Sequence, residues 1–365
     1  MQKMDGMMYA PRSVKQTERV VQEGEFSFAV IGLDHGHIYA MTNGLLEAGA
    51  DLGWVYDEDQ NKVKEFIRAY PQARTASSIE QILSDAGIAL VASAIKPSQR
   101  CELGLAVLEG GKHYFCDKPG MLSLQETMLV ARACEKTGKR YFVYFGERIH
   151  VEGALYAQKL IEEGALGDVL SVTILAPHRL NKNSRPLWFF NPKENGGILV
   201  DIGSHQLEQF LTYTNSNSAK VLHSSIANYH SPDHPEFQDY GQCVLVGDRG
   251  ATCYFRVDWF TPDGMGAWGD GRVFIVGTKA SVEIRKYLDV AKSTQGDQVY
   301  FVDAKGEHHI EAFGTLGFPF FGAMILDCMH GTEHAISQQH TLLAMELAIE
   351  AQEKATNLTA TNRMP

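Results

Sequence analysis

The feature that most restricts the fold is an alternation of short apolar runs with helix-like stretches between residues 26 and 146. FSFAVIG (26–32), LGWVYD (52–57), IALVASA (88–94), HYFC (113–116) and YFVYF (141–145) have the length and apolar character of buried strands. Between them, NKVKEFIRAY (61–70), QRCELGLAVLEGG (99–111) and LQETMLVARACEKTG (124–138) carry apolar residues at helical spacing. The last two end in glycine, as helices often do. Strands separated by helices pair in parallel through crossovers, so this stretch predicts an α/β domain with a doubly wound (Rossmann) parallel sheet over 26–146.

Past Gly146 the texture changes. A helical stretch, VEGALYAQKLIEEGALG (151–167), precedes the run VLSVTILA and a polar, aromatic loop, HRLNKNSRPLWFFNPKENGG (178–197). The runs AKVLHSSIANY, QCVLVG, ATCYFRVDWF, RVFIVGT, ASVEIRK and QVYFVDA follow, and HTLLAMELAIEAQEKA (340–355) forms an amphipathic helix. Meandering strands of this kind predict an α+β domain over 147–365 with a large, mostly antiparallel open sheet. Such a sheet commonly pairs between subunits, so a homo-oligomer, a dimer, a tetramer or a higher assembly, is expected. Two cores suit a chain of 365 residues. Residues 1–25 hold four methionines but no continuous apolar stretch, and read as an N-terminal arm rather than a signal peptide.

Charge and cysteine usage narrow the class. The 33 basic residues against 44 acidic ones leave −11, which disfavours nucleic acid as a partner. No apolar run approaches the roughly 18 residues of a membrane span. Six scattered cysteines without a C-x-x-C fit reduced thiols in a cytoplasmic protein.

Directly after the first run stands GLDHGHIYAM (32–41), where a dinucleotide-binding protein carries G-x-G-x-x-G. Gly32 fits the first glycine, whereas Asp34 takes the second position, His37 the third, and Gly36 falls one place early. One reading is a modified phosphate turn. In it Asp34 caps the helix by accepting from N–H groups near 36 and 37, Gly36 leaves room for phosphate, and His35 and His37 donate to phosphate oxygens. A second reading is a metal site of Asp34, His35 and His37. Consecutive positions at a helix start point in different directions, so no metal is expected. A third is a structural turn with surface histidines. Asp57, 25 residues beyond Gly32, is placed to accept from ribose hydroxyls. Glu58 and Asp59 should repel a 2′-phosphate, which favours NAD over NADP. Two H-x-x-x-H spacings, His230 with His234 and His330 with His334, lie in a loop or across a glycine and read as structural.

Two further motifs carry chemistry. FCDKPG (115–120) puts Lys118 at the carboxyl end of the HYFC strand, where open α/β sheets bind ligands. GGILVDIGSHQLEQF (196–210) presents Asp201 and His205 four residues apart, one turn along a helix face. With Gly32, Asp57, Pro97 after the IALVASA strand and Arg148 of GERIH, these motifs stand in the order found in the Gfo/Idh/MocA oxidoreductases, which the chain resembles over roughly 26–355. The departures are Asp117 where glutamate is usual, Asn195 for a third glycine, Cys101 for a histidine, and the GLDHGH turn itself.

The resemblance implies oxidation of a secondary alcohol with hydride passing to nicotinamide. It implies His205 as base, Asp201 as its orienting acid, and Lys118 as the cation beside the developing alkoxide; lysine as base is the competing assignment. Ile38, Ser93, Lys96, Pro97 and Asp117 join Gly32, Asp34, His35, Gly36, His37, Asp57 and Lys118 as the implied cofactor residues. For substrate, the loop offers His178, Arg179, Asn181, Asn183 and Trp188 beside Asp201 and His205, with Arg148 and Trp268 closing the pocket. Polar forks and an apolar ring suit a sugar, glycoside or cyclitol, with pyranose C3 the leading position. Two alternatives stay open: an NAD-dependent glycoside hydrolase that takes hydride and returns it, and a non-catalytic NAD-binding sensor.

Overall fold

The computed structural model describes residues 6–15 and 18–361. Parts of the expected N-terminal arm, residues 1–5, 16 and 17, lie outside the described residues. The chain forms two compact units: Met7–Tyr144 with Gly317–Leu342, and Phe145–Leu316 with the chain from Leu343. The segment 317–342 therefore belongs to the first unit, although it follows the second unit's sheet in sequence.

In the first unit, β1 (Ser27–Leu33), α1 (His37–Glu47), β2 (Asp51–Tyr56), α2 (Gln60–Ala69), β3 (Arg74–Thr75), α3 (Ile79–Ser84), β4 (Leu90–Ala94), α4 (Pro97–Glu109), β5 (His113–Asp117), α5 (Leu124–Thr137) and β6 (Tyr141–Tyr144) alternate as the sequence predicts. The six strands are parallel in the order β3-β2-β1-β4-β5-β6. This is the doubly wound sheet, and its strand order reverses beside β1. Central strands bury both faces: Phe28, Ala29 and Val30 are fully covered, as are all five residues of β4, and all five of β5 are buried. That explains why they read as continuous apolar runs. Side chains start the helices, with Asp59, Ser78 and Ser123 accepting from backbone N–H groups of α2, α3 and α5. The short β3 and α3 escaped the periodicity reading because neither spans two helical turns.

In the second unit, the short helical turns α6 (Gly146–Ile149), α8 (Pro192–Asn195) and α9 (Ile198–Asp201) accompany α7 (Glu152–Glu162) and α10 (Gly203–Thr214). The strands are β7 (Val169–Pro177), β8 (Ala219–Ala227), β9 (Tyr240–Gly247), β10 (Thr252–Asp258), β11 (Arg272–Gly277), β12 (Ser281–Arg285), β13 (Gln298–Asp303), β14 (Gly306–Glu311) and β15 (Thr356–Asn357). They form one open sheet, β14-β13-β12-β11-β7-β10-β9-β8-β15, antiparallel except where β10 meets β7 and β15 meets β8. Its strands alternate: Val172, Ile174, Cys253, Phe255, Val273 and Ile275 are buried, while Thr173, Tyr254 and Phe274 between them are part-exposed. Helix α10 lies close against this sheet, since a Cβ on Gly203 would stand 3.2 Å from the Phe255 ring. The expected fold class is thus the observed one.

In the first unit, α11 (Pro319–His330) packs on α1, where any side chain at Gly44 would collide with the Phe321 ring. Gln338, the first residue of α12 (Gln338–Glu353), accepts from the Tyr141 N–H at 2.9 Å and donates to its carbonyl at 3.0 Å, covering backbone at the edge strand β6.

A buried carboxyl in the second unit gives the fold a pH dependence. Asp297 accepts from the Gly153 N–H at 2.8 Å, and burial pushes its pKa up to about 7. The folded chain then holds a proton that the unfolded chain releases near pH 4, so stability falls as pH rises from about 4 to about 7, by up to roughly 1.4 kcal/mol per unit. Asp297→Asn keeps the acceptor and cannot ionise, so urea unfolding at pH 5 and pH 7 is expected to show that contribution flattened.

Candidate functional site

The turn after β1 is set by Gly32, whose φ of +83° only glycine adopts readily; a Cβ there would also stand 2.6 Å from that of Ile95. Beyond it, the Asp34 and His35 N–H groups both donate to the Ala94 carbonyl at 3.1 Å. The helix cap is Gly36, with no side-chain cap bond. Its N–H meets no protein acceptor among the described residues, which leaves it for an anion at the N-terminus of α1. Ile38 is buried behind it.

Asp34 does not cap α1, contrary to expectation. Its carboxylate turns the other way, accepting from the Lys96 N–H at 2.9 Å and the Lys62 ammonium at 2.5 Å. Helix capping needs the side chain folded back over its own turn, and the two donors from β4–α4 and α2 draw it outward. Asp57 sits one residue past β2, where the reading put it, and accepts from the Leu33 N–H at 2.7 Å and the Asp59 N–H at 2.8 Å. Each oxygen retains a second lone-pair direction for a ribose hydroxyl. Ser93 is buried in β4 and Pro97 opens α4, directly after Lys96.

His35 and His37 also depart from expectation: both rings face Asp117 at the end of β5 rather than an open phosphate site. His37 Nδ1 lies 2.8 Å from one carboxylate oxygen, and His35 Nδ1 lies 3.4 Å from the other. The turn and the parallel pairing bring them together across 80 residues of sequence, which a reading of neighbouring side-chain directions misses. Arg100, unnoticed in the sequence, is almost wholly buried and holds Asp117 at 3.2 Å and its carbonyl at 3.1 Å. Burial pushes the Asp117 carboxyl up, but His37, His35 and Arg100 outweigh it and hold it well below the usual range. Burial, with the neighbouring His37, lowers the His35 pKa, and His35 Nδ1 accepts from the His37 N–H at 3.2 Å. The ligand atoms of His35, His37 and Asp117 lie within 4.8 Å of one another, a spacing a metal ion would accept. Arg100 already places a fixed positive charge on the same carboxylate, so the cluster is better explained as an anchor for the end of β5. Lys118 follows at once and is 7% exposed. The sheet thus sets an ammonium at the carboxyl edge, one strand from the reversal point.

The second unit supplies the other predicted residues. Asp201 ends α9 and His205 lies in the first turn of α10, with Ile202 between the helices. The expected single face is therefore interrupted by a joint, and the His205 N–H bonds the Ile202 carbonyl at 3.1 Å. The Gly196 and Gly197 backbone before them has φ of +86° and +84°, and Asn195, in place of a third glycine, accepts from the Gly197 N–H at 2.7 Å. His205 is buried. Around it stand residues the sequence reading missed. Glu147 lies 3.1 Å from the Lys286 ammonium and 3.5 Å from His178 Nε2, and Lys286 also donates to Gln209 at 2.8 Å. Burial pushes the Glu147 carboxyl up, but Lys286, His205 and His178 outweigh it and hold it at about 2. This is a buried, charged cluster that sets a carboxylate beside the His178 imidazole and acts on His205 through its charge.

The proposed substrate loop divides. His178 joins that cluster, with its ring 4.6 Å from Trp268, which is buried against Tyr287. Arg179 instead donates to the Met265 carbonyl at 2.7 Å, and with Asn181 lines a separate cavity of about 1030 Å³ beside Tyr229, Asp233, Trp259 and Phe260. Asn183 is exposed and Trp188 part-buried. Arg148 is not available to close a pocket: its guanidinium grips Glu208 through Nε at 2.8 and 3.0 Å and through a second nitrogen, and reaches Gln158 at 2.9 Å. Of the H-x-x-x-H residues, His234 stacks on Phe190 with ring centres 3.8 Å apart.

Comparison with known proteins agrees with this architecture. Residues 26–145 match the oxidoreductase family model described as an NAD-binding Rossmann fold, and residues 154–283 match the GFO/IDH/MocA C-terminal domain. A solved structure from Erwinia carotovora atroseptica SCRI1043, assigned only in name to the oxidoreductases, is 44% identical, covers 92% of this chain and all of its own, and superposes with a TM-score of 0.89. The NADP(+)-using scyllo-inositol 2-dehydrogenase of Bacillus subtilis is 28% identical over 41% of this chain and 42% of its own length. Levoglucosan dehydrogenase of Pseudarthrobacter phenanthrenivorans is 31% identical over 40% of this chain and 37% of its own. The chain thus spans about two fifths of the length of these curated relatives. No helix among the described residues is long and apolar enough to cross a membrane. With both halves matched in order, the chain belongs to the Gfo/Idh/MocA oxidoreductase family.

Proposed function

We propose that the protein oxidises a secondary hydroxyl of a sugar, glycoside or cyclitol, using NAD as the hydride acceptor. The observation that carries this reading is Lys118 at the carboxyl edge of a doubly wound sheet, the edge where such sheets bind their ligands. The Gly36 N–H suits a pyrophosphate oxygen and the Asp57 carboxylate suits ribose hydroxyls, so the residues present fit the dinucleotide. NAD supplies the electron-pair acceptor. The chain's own residues handle the proton and the charge: His205 takes the hydroxyl proton, and Lys118 stabilises the alkoxide as the C–H bond gives up its hydride. Asp201 is proposed to orient the site, and the charge of Glu147, beside Lys286 and His178, to favour the imidazolium that forms at His205. Relatives named for scyllo-inositol and levoglucosan support a polyhydroxylated ring as the substrate class.

The test is a panel of sugars, glycosides and cyclitols with NAD, followed at the NADH absorbance. Net NADH with at least one member and a matching keto product is the expected outcome. Glycoside cleavage without net NADH would replace this reading with the hydride-returning hydrolase, and nucleotide binding with no turnover of any member would favour the sensor.

A further inference from the structure

Asp34 occupies the place where the dinucleotide turn ordinarily has its second glycine, and its partner Lys62 comes from the first turn of α2. The pair joins the loop after β1 to the first turn of α2 at the carboxyl edge of the sheet. Both the 2.5 Å contact to Lys62 and the 2.9 Å bond to the Lys96 N–H fall on the Asp34 carboxylate, so the ammonium has a fixed seat. Asp57, the acid suited to ribose hydroxyls, and Asp59 also act on Lys62. Burial alone would lower the Lys62 pKa; the bond and charge of Asp34, with Asp57 and Asp59 behind it, outweigh burial and raise it. The ammonium is therefore charged throughout the neutral range, yet the three carboxylates more than cancel it. Its side chain is 36% exposed, which leaves it room to turn.

A 2′-phosphate differs from a 2′-hydroxyl by roughly −1.5 to −2 charges and needs a cation beside the ribose acid. Lys62 is of the right charge and in the right place to serve. We infer that Asp34 is a cofactor-selectivity residue, which keeps the Lys62 ammonium from a 2′-phosphate and so reserves the ribose site for NAD. The inference rests on the dinucleotide reading and adds to it a residue outside the ribose acid itself. It also gives a physical reason for an acid at a position where glycine would fit a pyrophosphate better.

The experiment is fluorescence titration of the full chain with NADH and with NADPH. Asp34→Asn removes the charge while its amide oxygen still accepts from Lys96. Asp34→Gly removes the same charge and restores the glycine, so a folding failure of one variant leaves the other. Either is expected to shift the ratio of the two Kd values at least tenfold toward NADPH. Adding Lys62→Met is expected to abolish that shift. An unchanged ratio in both Asp34 variants, or a shift that survives Lys62→Met, overturns the inference. If the unmodified chain binds neither nucleotide, the cofactor reading falls and takes the inference with it; binding of NADH with an unresponsive ratio sinks the inference alone.

Discussion

Lys118→Ala and His205→Ala are each expected to lower kcat by about 10²–10⁴-fold, the range found when a positioned acid–base group or charge stabiliser is lost. NADH binding should change little for His205→Ala, because that residue lies outside the nucleotide unit. The pH profile separates the two possible bases. A neutral imidazole accepts a proton and an imidazolium does not, so kcat/KM of the unmodified enzyme should fall on the acid side. His205→Asn should remove that limb, leaving a low, flat rate. If the limb persists in His205→Asn and disappears in Lys118→Met, the lysine is the base and the assignment proposed here is reversed. Glu147→Gln offers a further check on the imidazole's support. A carboxylate held near pKa 2 stays charged across the assay range, and its loss should displace the acid limb to lower pH rather than erase it.

The sheet of the first unit was legible because burial on both faces forces long apolar runs, and the helices between them leave parallel pairing as the solution. Gly32 and Asp57 were legible for a related reason: a positive φ and a strand-end acid are local requirements, visible within a few residues. Partners set by tertiary structure were not. Lys286 meets Glu147 across 139 residues, and Arg100 reaches the Asp117 side chain from another element of the sheet's layer. In sequence each looks like an ordinary surface charge. The same blindness misdirected Asp34, whose capping role was inferred from neighbours along the chain while its donors came from 28 and 62 positions away. Family resemblance placed the chain in its family, but for Arg148 it suggested a ligand contact where the structure shows a buried ion pair.

Arg148→Met therefore tests that last distinction and carries the largest expected effect on stability. The arginine is buried and Glu208 fully so, and Thr212 supplies Glu208 with one more donor at 3.2 Å. Removing the guanidinium would leave a carboxylate out of water with too few donors, a change that costs about 3–5 kcal/mol. Urea unfolding of the second unit, followed by its tryptophan fluorescence, should show that loss. Pairing Arg148→Met with Glu208→Leu removes both charges, and well-packed apolar replacements of buried ion pairs are commonly neutral or better, so the double variant should regain most of the stability. A substrate-binding arginine would behave differently: the single variant would raise KM with unfolding unchanged, and the second substitution would restore nothing. Should Arg148→Met unfold like the unmodified chain, or the double variant be no better than the single one, the buried charge is not what fixes α6 to α10.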